Sequence, residues 1–274
     1  MTDLAAPRLQ VGSLLRDWRQ RRRLSQLDLA LEAGVSARHV SFVETGRSRP
    51  SAEMVLHLAE QLEVPLRDRN QLLLAAGYAP VYGQRGLDEP DMGPVREALE
   101  RVLRGHEPYP AVVIDRHWGM VAGNSAVALL TDGVAPELLE PPVNVLRLSL
   151  HPDGVAPRIV NLAEWRAHLL ERLMRQAVST GDPALAALHE ELSALPGAPP
   201  SEAGDVVYDL AAGEIAVPLR LRAGDAELSF ISTNTTFGTA TDITVAELSI
   251  EAFFPADAIT SEAIQAFAGR LPRG

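Results

Sequence analysis

The sequence contains no cysteine and no lysine. Without cysteine the chain cannot form disulfides, bind zinc through thiolates, hold an iron–sulfur cluster or use a thiol nucleophile. All 25 basic side chains are arginine, which excludes a Walker-type phosphate lysine, a Schiff-base lysine and a Ser–Lys self-cleavage dyad. Self-cleaving and pyridoxal-phosphate domains are therefore excluded by the composition.

Long apolar runs are also missing from the 274 residues. None approaches the ~20 residues that span a bilayer, and the N-terminus shows no apolar signal-peptide region. The apolar content of 46% is typical of a globular chain, and the length suits two domains. We therefore expect a cytoplasmic, two-domain protein.

Negative charge dominates the chain, but not its beginning. The net charge is −11, yet the first fifty residues hold nine arginines against five acids, a local charge of +4. The remaining residues then carry −15. Because binding to phosphates depends on local positive charge, a basic head on an acidic body is compatible with DNA.

Apolar periodicity predicts five helices in the first eighty residues. Ser25, Ser36 and Ser51 are well placed to cap the second, third and fourth helices. Gly34 suits the tight turn between the second and third helices, where a positive φ is favoured. The fifth helix is predicted over Leu66–Ala76.

The stretch LSQLDLALEAGVSARHVSFVETGRSRPSAEMVLHLAEQLEVPL resembles the XRE/lambda-repressor-like family of helix-turn-helix domains. This resemblance implies that the helix from Ser36 to Thr45 lies in the major groove of double-stranded DNA. Such domains usually bind as homodimers, which implies a pseudo-palindromic operator.

By position in this motif, we expect one group of side chains to contact DNA. Arg38 could pair with a guanine, and Ala37 or Phe42 could contact a thymine methyl. Glu44 is expected to brace the loop after the helix, and His39 to be a surface side chain without a role. The predicted DNA-binding residues are Gln26, Ser36, Ala37, Arg38, Ser41, Phe42, Arg47 and Arg49, of which Gln26, Arg47 and Arg49 are assigned to phosphates.

A stretch rich in Gly, Pro and acids, residues 78–94, marks a domain boundary. We expect a DNA-binding domain over 1–78, a linker with a connector helix over 79–105, and a second domain over 106–270. The second domain shows strand signals at 111–115, 120–123, 206–210, 214–222, 227–234 and 245–254, with helices at 125–130, 162–178 and 183–195. The predicted class is α+β: an all-α five-helix helix-turn-helix domain, then a PAS-like antiparallel sheet with packed helices.

The segments AVVIDRHWGMVAGNSAVALL, NVLRLSLHPDG, NLAEW and TFGTATDITVAELSIEAFFPAD resemble the MmyB-like ligand-binding domain, although the commoner Arg/Trp-rich segment before the final strands is missing. The resemblance implies a small-molecule pocket, with fatty-acyl or other carboxylate ligands as candidates.

Aromatic and polar side chains of the second domain are candidates for this pocket. Arg147 could clamp a carboxylate, and the aromatic rings could wall an apolar cavity. For each residue the alternative is core packing or surface charge. The candidates are Trp118, Asn124, Arg147, His151, Trp165, His168, Phe230 and Phe254.

Catalytic signatures are absent from the sequence. The histidines form no HxH or HExxH motif, and there is no GxSxG motif. His151-Pro152-Asp153-Gly154 is typical of a turn. We expect no enzyme, no metal and no cofactor. Two alternatives stay open: a second domain used only for dimerisation or partner binding, and a cryptic enzyme.

Overall fold

The computed structural model describes residues 10–197 and 217–269. The chain divides into two compact units. Among the described residues, the first comprises 10–86 together with 239–246, and the second comprises 87–197, 217–238 and 247–269. The predicted strand at 206–210 lies outside the described residues.

The first unit contains the five predicted helices. The serine side chains at positions 25, 36 and 51 each accept a hydrogen bond from the backbone of the third residue that follows, as predicted for N-caps. The helices are α1 (Val11–Arg21), α2 (Gln26–Glu32), α3 (Ala37–Glu44), α4 (Ala52–Gln61) and α5 (Leu66–Ala76).

Small residues allow the helices of this unit to approach closely. Ala30 on α2 is buried against Val40 and Val43 of α3, and Gly34 makes the turn between them at φ +61°. Gly12 on α1 lies so near the end of α3 that an added Cβ would stand 2.4 Å from the carbonyl oxygen of Val43. The sequence therefore fixes α3 against both α1 and α2.

The second unit is built on a five-stranded antiparallel sheet with the order β2-β1-β5-β4-β3. The strands are β1 (Ala111–Ile114), β2 (Met120–Gly123), β3 (Leu219–Ala223), β4 (Ala226–Thr236) and β5 (Ser249–Pro255). The remaining helices are α6 (Gly93–His106), α7 (Val127–Leu130), α8 (Val145–Leu150), α9 (Leu162–Thr180), α10 (Pro183–Ala194), α11 (Ile243–Ala246) and α12 (Ala258–Ala268), of which α11 belongs to the first unit. This arrangement confirms the predicted α+β class.

Both faces of the central strands are covered. One face packs on α6, with Leu99 and Leu103 against Val113 and Ile250. The other face carries the larger core, which includes residues of α8, α9 and α10. The helix assigned to a linker in the sequence is thus part of the second unit, because its apolar face covers the sheet.

Two strand boundaries differ from the sequence-based prediction. The last strand begins at Ser249 and not at residue 245, because 243–246 form the short helix α11. The strand predicted over 214–222 is observed at Leu219–Ala223 within the described residues.

The connection between β4 and β5 contributes residues 239–246 to the first unit. The backbone N–H of Ile243 donates to the carbonyl oxygen of Gly83 at 2.8 Å. The carboxylate of Asp242 pairs with Nε of Arg85 at 3.0 Å, and the Thr244 hydroxyl donates to the Arg85 carbonyl at 2.7 Å. This segment is held by the residues that follow α5.

None of the helices in the described residues is long and apolar enough to cross a membrane.

Candidate nucleic-acid interface and ligand cavity

The buried residues of α3 define its outward face. Val40 and Val43 are each 1% exposed, so the helical repeat turns Arg38, Ser41 and Phe42 away from the core. Arg38 is exposed, whereas Ser41 and Phe42 are partly exposed. Ser36 and Ala37 lie at the N-terminal start of the same helix, which is the end that reads bases in helix-turn-helix domains.

Two arginines lie close to the ring of Phe42. The guanidinium carbon of Arg38 is 5.0 Å from the centre of the Phe42 ring, and that of Arg47 is 5.8 Å away. Cations at this distance are attracted to the face of an aromatic ring. The interaction gathers two positive charges and one apolar surface on α3 and the loop after it.

Glu44 anchors the C-terminal end of α3 in a buried network. Nε of Arg19 donates to Oε1 of Glu44 at 2.6 Å, and the Gln26 amide donates to Oε2 at 2.8 Å. Burial alone would raise the pKa of Glu44, but these hydrogen bonds and the charges of Arg19 and Arg16 outweigh it and lower the pKa. Glu44 therefore ties α3 to α1 and α2, a wider role than bracing a loop.

The three side chains predicted to contact phosphate differ in whether they are hydrogen-bonded within the fold. The Gln26 amide is held by Glu44 at the first residue of α2. Arg49 donates from Nη2 to the carbonyl of Ala76 at 3.0 Å and lies over the Tyr78 ring, so its guanidinium is used within the fold. Arg47 is exposed.

His39 differs from its expected surface role. Its Nε2 atom is buried and has no hydrogen-bond partner within the described part of the chain.

The second unit contains an apolar cavity of about 80 Å³, partly open to solvent, on the α8 and α9 side of the sheet. Apart from the indole N–H groups of Trp118 and Trp165, polar side-chain atoms in its lining belong to Thr131, Ser149 and Glu251. Its other lining residues are apolar and aromatic: Val112, Trp118, Met120, Val127, Leu130, Val145, Leu146, Leu148, Val155, Trp165, Leu169, Leu219 and Phe253.

Two of the eight candidate ligand residues line this cavity. The Trp118 indole donates to the side-chain oxygen of Gln176 at 2.8 Å, and the Trp165 indole donates to Ser149 Oγ at 3.1 Å. Trp118 has φ +67°, a conformation that bulky residues rarely adopt. The turn before β2 thus holds the Trp118 ring against the cavity at a cost in backbone strain.

Among the described residues, the other six candidates are not part of the cavity lining. Asn124 hydrogen-bonds the backbone of Ala111, Leu103 and Tyr109. Arg147 is exposed and forms a two-point ion pair with Glu191, so it is not placed to clamp a ligand there.

The remaining four candidates contribute to a turn or to packing of the fold. His151 accepts from the backbone N–H of Asp153, as expected for a turn. His168 stacks on Trp165, and burial, helped by the charges of Arg172 and Arg175, lowers its pKa. Phe230 is fully buried in the core, and Phe254 packs against the rings of Tyr109 and His106.

Sequence reasoning missed an ion pair beside the cavity. Nη1 of Arg172 is 2.8 Å from Oε1 of Glu251, and the Glu251 side chain is 6% exposed. The Arg172 guanidinium also lies 4.5 Å from the Trp118 ring centre. Alternating apolar and polar residues normally indicate a strand with one buried face, whereas Ile250, Glu251 and Ala252 are all buried. An acid between two apolar residues of a central strand was the available signal.

No group of three or more metal-ligating side chains comes together among residues 10–197 and 217–269.

Family comparisons agree with this division of the chain. Residues 15–68 match the helix-turn-helix family, and residues 95–267 match the MmyB-like transcription regulator ligand binding domain. A comparison with curated proteins gave no match. The second family match covers more than half of the chain. The chain therefore belongs to the MmyB-like transcription regulators, in which a DNA-binding helix-turn-helix is joined to a ligand-binding domain.

Proposed function

We propose that a small apolar molecule in the cavity of the second unit controls how this regulator binds DNA. The observation that carries the proposal is the cavity itself, because almost all of its lining is hydrocarbon and it lies inside the ligand-binding domain. A pocket that is mostly apolar with a few polar groups is the usual form of a small-molecule site.

The DNA-binding half of the proposal rests on the outward face of α3. In the proposed complex Arg38 and Phe42 reach base edges and Arg47 contacts phosphate. The guanidiniums of Arg38 and Arg47 lie 5.0 and 5.8 Å from the centre of the Phe42 ring, which supports this grouping. A helix of eight residues reads few base pairs, so two copies of the chain bind together at a pseudo-palindromic operator.

The size of the cavity limits the ligand. An apolar cavity of about 150 Å³ holds benzene, so the observed 80 Å³ accepts only a smaller fragment without rearrangement. A longer molecule, such as a fatty-acyl chain, must displace flexible lining side chains such as Met120. Binding therefore changes the packing around the cavity, which is what a ligand-controlled switch requires.

Native mass spectrometry of the purified protein tests this function. We expect one co-purified small molecule per protomer, identified after mild denaturation. Leu169→Phe, which fills the cavity from α9, should release it. Leu188→Phe is the matched control, because Leu188 is buried on α10 but does not line the cavity.

Two results would contradict the proposal. The first is a molecule retained equally by the wild type and both variants, which would place its site elsewhere. The second is an empty wild-type protein that also fails to bind added hydrocarbons, which would favour a second domain used for dimerisation.

A further inference from the structure

We propose that Glu251 makes the cavity selective for uncharged apolar molecules that donate a hydrogen bond, such as an aliphatic alcohol, over the carboxylate with the same carbon chain. This inference rests on the proposed function and concerns the head group of the ligand. Its starting point is a carboxylate on the cavity face of the middle strand of the sheet.

The register of β5 determines the direction of Glu251. Glu251 pairs with Val112 of β1 on one side and with Asn234 of β4 on the other. Side chains two residues apart in a strand share a face, and Phe253 and Val112 both line the cavity. Glu251 thus projects to the cavity side, whereas Ile250 and Ala252 face α6.

Arg172 compensates the charge of Glu251 from behind the cavity wall. It donates to Oε1 at 2.8 Å and lies over the ring of Trp118, but it is not among the lining residues. Within the described residues, Oε2 has no hydrogen-bond donor. A bound molecule therefore meets the carboxylate and not the guanidinium.

The other polar lining groups offer little to an anion. The Thr131 hydroxyl donates to the carbonyl of Val127 at 3.3 Å, which leaves an acceptor. Ser149 Oγ accepts from the Trp165 indole at 3.1 Å and retains one hydroxyl proton to donate. No lysine, arginine or histidine lines the described cavity.

Electrostatics therefore favours a hydroxyl head group over a carboxylate in this cavity. A ligand carboxylate would stand in an apolar site without a cationic partner and beside a like charge, which is costly. A ligand hydroxyl donates to Glu251 in a charge-assisted hydrogen bond. The alkyl chain contributes nearly the same apolar contacts in either case, so the head group decides the preference.

Isothermal titration of the full-length protein with 1-octanol and with octanoate at pH 8 tests this selectivity. We expect the wild type to bind 1-octanol at least tenfold more tightly. In Glu251→Gln this ratio should fall at least threefold, because the like charge that opposes octanoate is removed and the Arg172 guanidinium is no longer neutralised. Glu227→Gln, which changes an exposed acid of β4, should keep the wild-type ratio.

A conservative variant protects the test against misfolding. Glu251→Asp keeps the charge and should keep the preference for the alcohol even if Glu251→Gln does not fold. Tighter binding of octanoate by the wild type, or an unchanged ratio in Glu251→Gln, would overturn the selectivity and leave the ligand function standing. Binding of neither probe would overturn the proposed function as well.

A second inference, which also rests on the proposed function, concerns residues 239–246. We infer that this segment, the coupling segment, transmits cavity occupancy to the DNA-binding unit. It packs on the residues after α5 through Asp242–Arg85 and Ile243–Gly83. Along the chain, β5 starts three residues after it and carries the cavity residues Glu251 and Phe253.

The coupling segment and β5 are continuous along the chain. Glu251 and Phe253 of β5 line the cavity, so a ligand that enlarges it acts on this strand, which begins three residues after the coupling segment. Asp242 is 4% exposed and accepts from both Arg85 and the backbone N–H of Thr244. A movement of the segment therefore acts on the residues that follow α5.

Hydrogen exchange of the full-length chain with and without 1-octanol tests the coupling. We expect slower exchange in β5 and an altered rate, at least twofold, in both 78–86 and 239–246. In Asp242→Asn the effect on β5 should remain and the effect on 78–86 should be lost. Protection of β5 with no change in 78–86 of the wild type would overturn the coupling. No change in β5 either would count against ligand binding itself.

Discussion

Arg19 and Glu44 form a two-point ion pair between α1 and the end of α3, with Nε to Oε1 at 2.6 Å and Nη2 to Oε2 at 2.8 Å. The two side chains are 10% and 2% exposed. Arg19 also donates from Nη1 to the carbonyl of Leu24 at 2.8 Å. Because both oxygens of Glu44 are bonded, the pair fixes the orientation of α3, the helix that faces DNA in the proposed complex.

Replacing Glu44 by alanine should destabilise the first unit strongly. The change leaves Arg19 buried without its partner, and breaking a buried pair in this way costs about 3–5 kcal/mol. Urea unfolding followed by circular dichroism measures the loss. Glu60→Ala, at an exposed acid of α4, should change the free energy of unfolding by less than about 0.5 kcal/mol. A similar loss of unfolding free energy in Glu44→Ala and Glu60→Ala would show that the buried ion pair does not stabilise the first unit.

The contribution of Glu44 should also depend on pH. Its pKa is lowered in the folded state, so its charge stabilises the fold above the unfolded value of about 4.3. That stabilisation is lost as the pH falls through the lower folded pKa. The difference in unfolding free energy between wild type and Glu44→Gln should therefore be largest near neutral pH and shrink below about pH 4.3.

Urea transitions at several pH values from 7 to 3 provide this comparison, and Glu60→Gln, at an exposed acid of α4, controls for the loss of one carboxylate. A gap that widens on acidification would contradict the assigned direction of the pKa shift.

The first unit was predictable because its signals are local. The caps at Ser25, Ser36 and Ser51 and the turn at Gly34 each depend on residues within one helical turn. The link from Arg19 to Glu44 has no such signal, since the partners are 25 residues apart and both types are common on helix surfaces. The same applies to Arg49, whose bond to Ala76 depends on tertiary packing.

For the second unit, the fold class was predictable from the sequence, but the residues of the ligand cavity were not. Strands β1, β2 and β4 and helices α9 and α10 follow from periodicity. Glu251 escaped notice because alternation assigns one buried face to a strand, while helices cover both faces of this sheet. Arg147 appeared suitable as a clamp only because its partner Glu191 could not be identified from the sequence.

Two helical glycines should respond to alanine with opposite signs. At Gly12 a Cβ would meet backbone atoms of α3 at 2.4 and 2.6 Å, so Gly12→Ala must separate α1 from α3. At Gly105 in α6 nothing lies within 4 Å, and the gain in helix propensity should stabilise the protein by up to about 1 kcal/mol.

Thermal melting of the two variants checks this pair, with a lower midpoint for Gly12→Ala and an equal or higher one for Gly105→Ala. A harmless Gly12→Ala would mean that α1 and α3 are not in close contact.

Arg38 and Arg47 should differ in how their loss affects DNA binding. Arg38 lies on the outward face of α3, and Arg47 is exposed in the loop after it. If Arg38 contacts a base, Arg38→Ala should cost about 1–3 kcal/mol on a preferred duplex and little on a scrambled one. If Arg47 contacts phosphate, Arg47→Ala should weaken both duplexes alike and reduce the slope of log K against log salt by about 1.

Fluorescence anisotropy measures both effects on a duplex that the wild type selects from a random pool. Arg101→Ala, at an exposed arginine of α6, controls for the loss of one positive charge from the chain. A third variant changes Phe42, whose ring both guanidiniums contact. Phe42→Leu should keep the affinity for scrambled DNA and lower the affinity for the selected duplex. Equal losses on both duplexes for Arg38→Ala would remove α3 from base recognition, since a phosphate contact alone carries no sequence information.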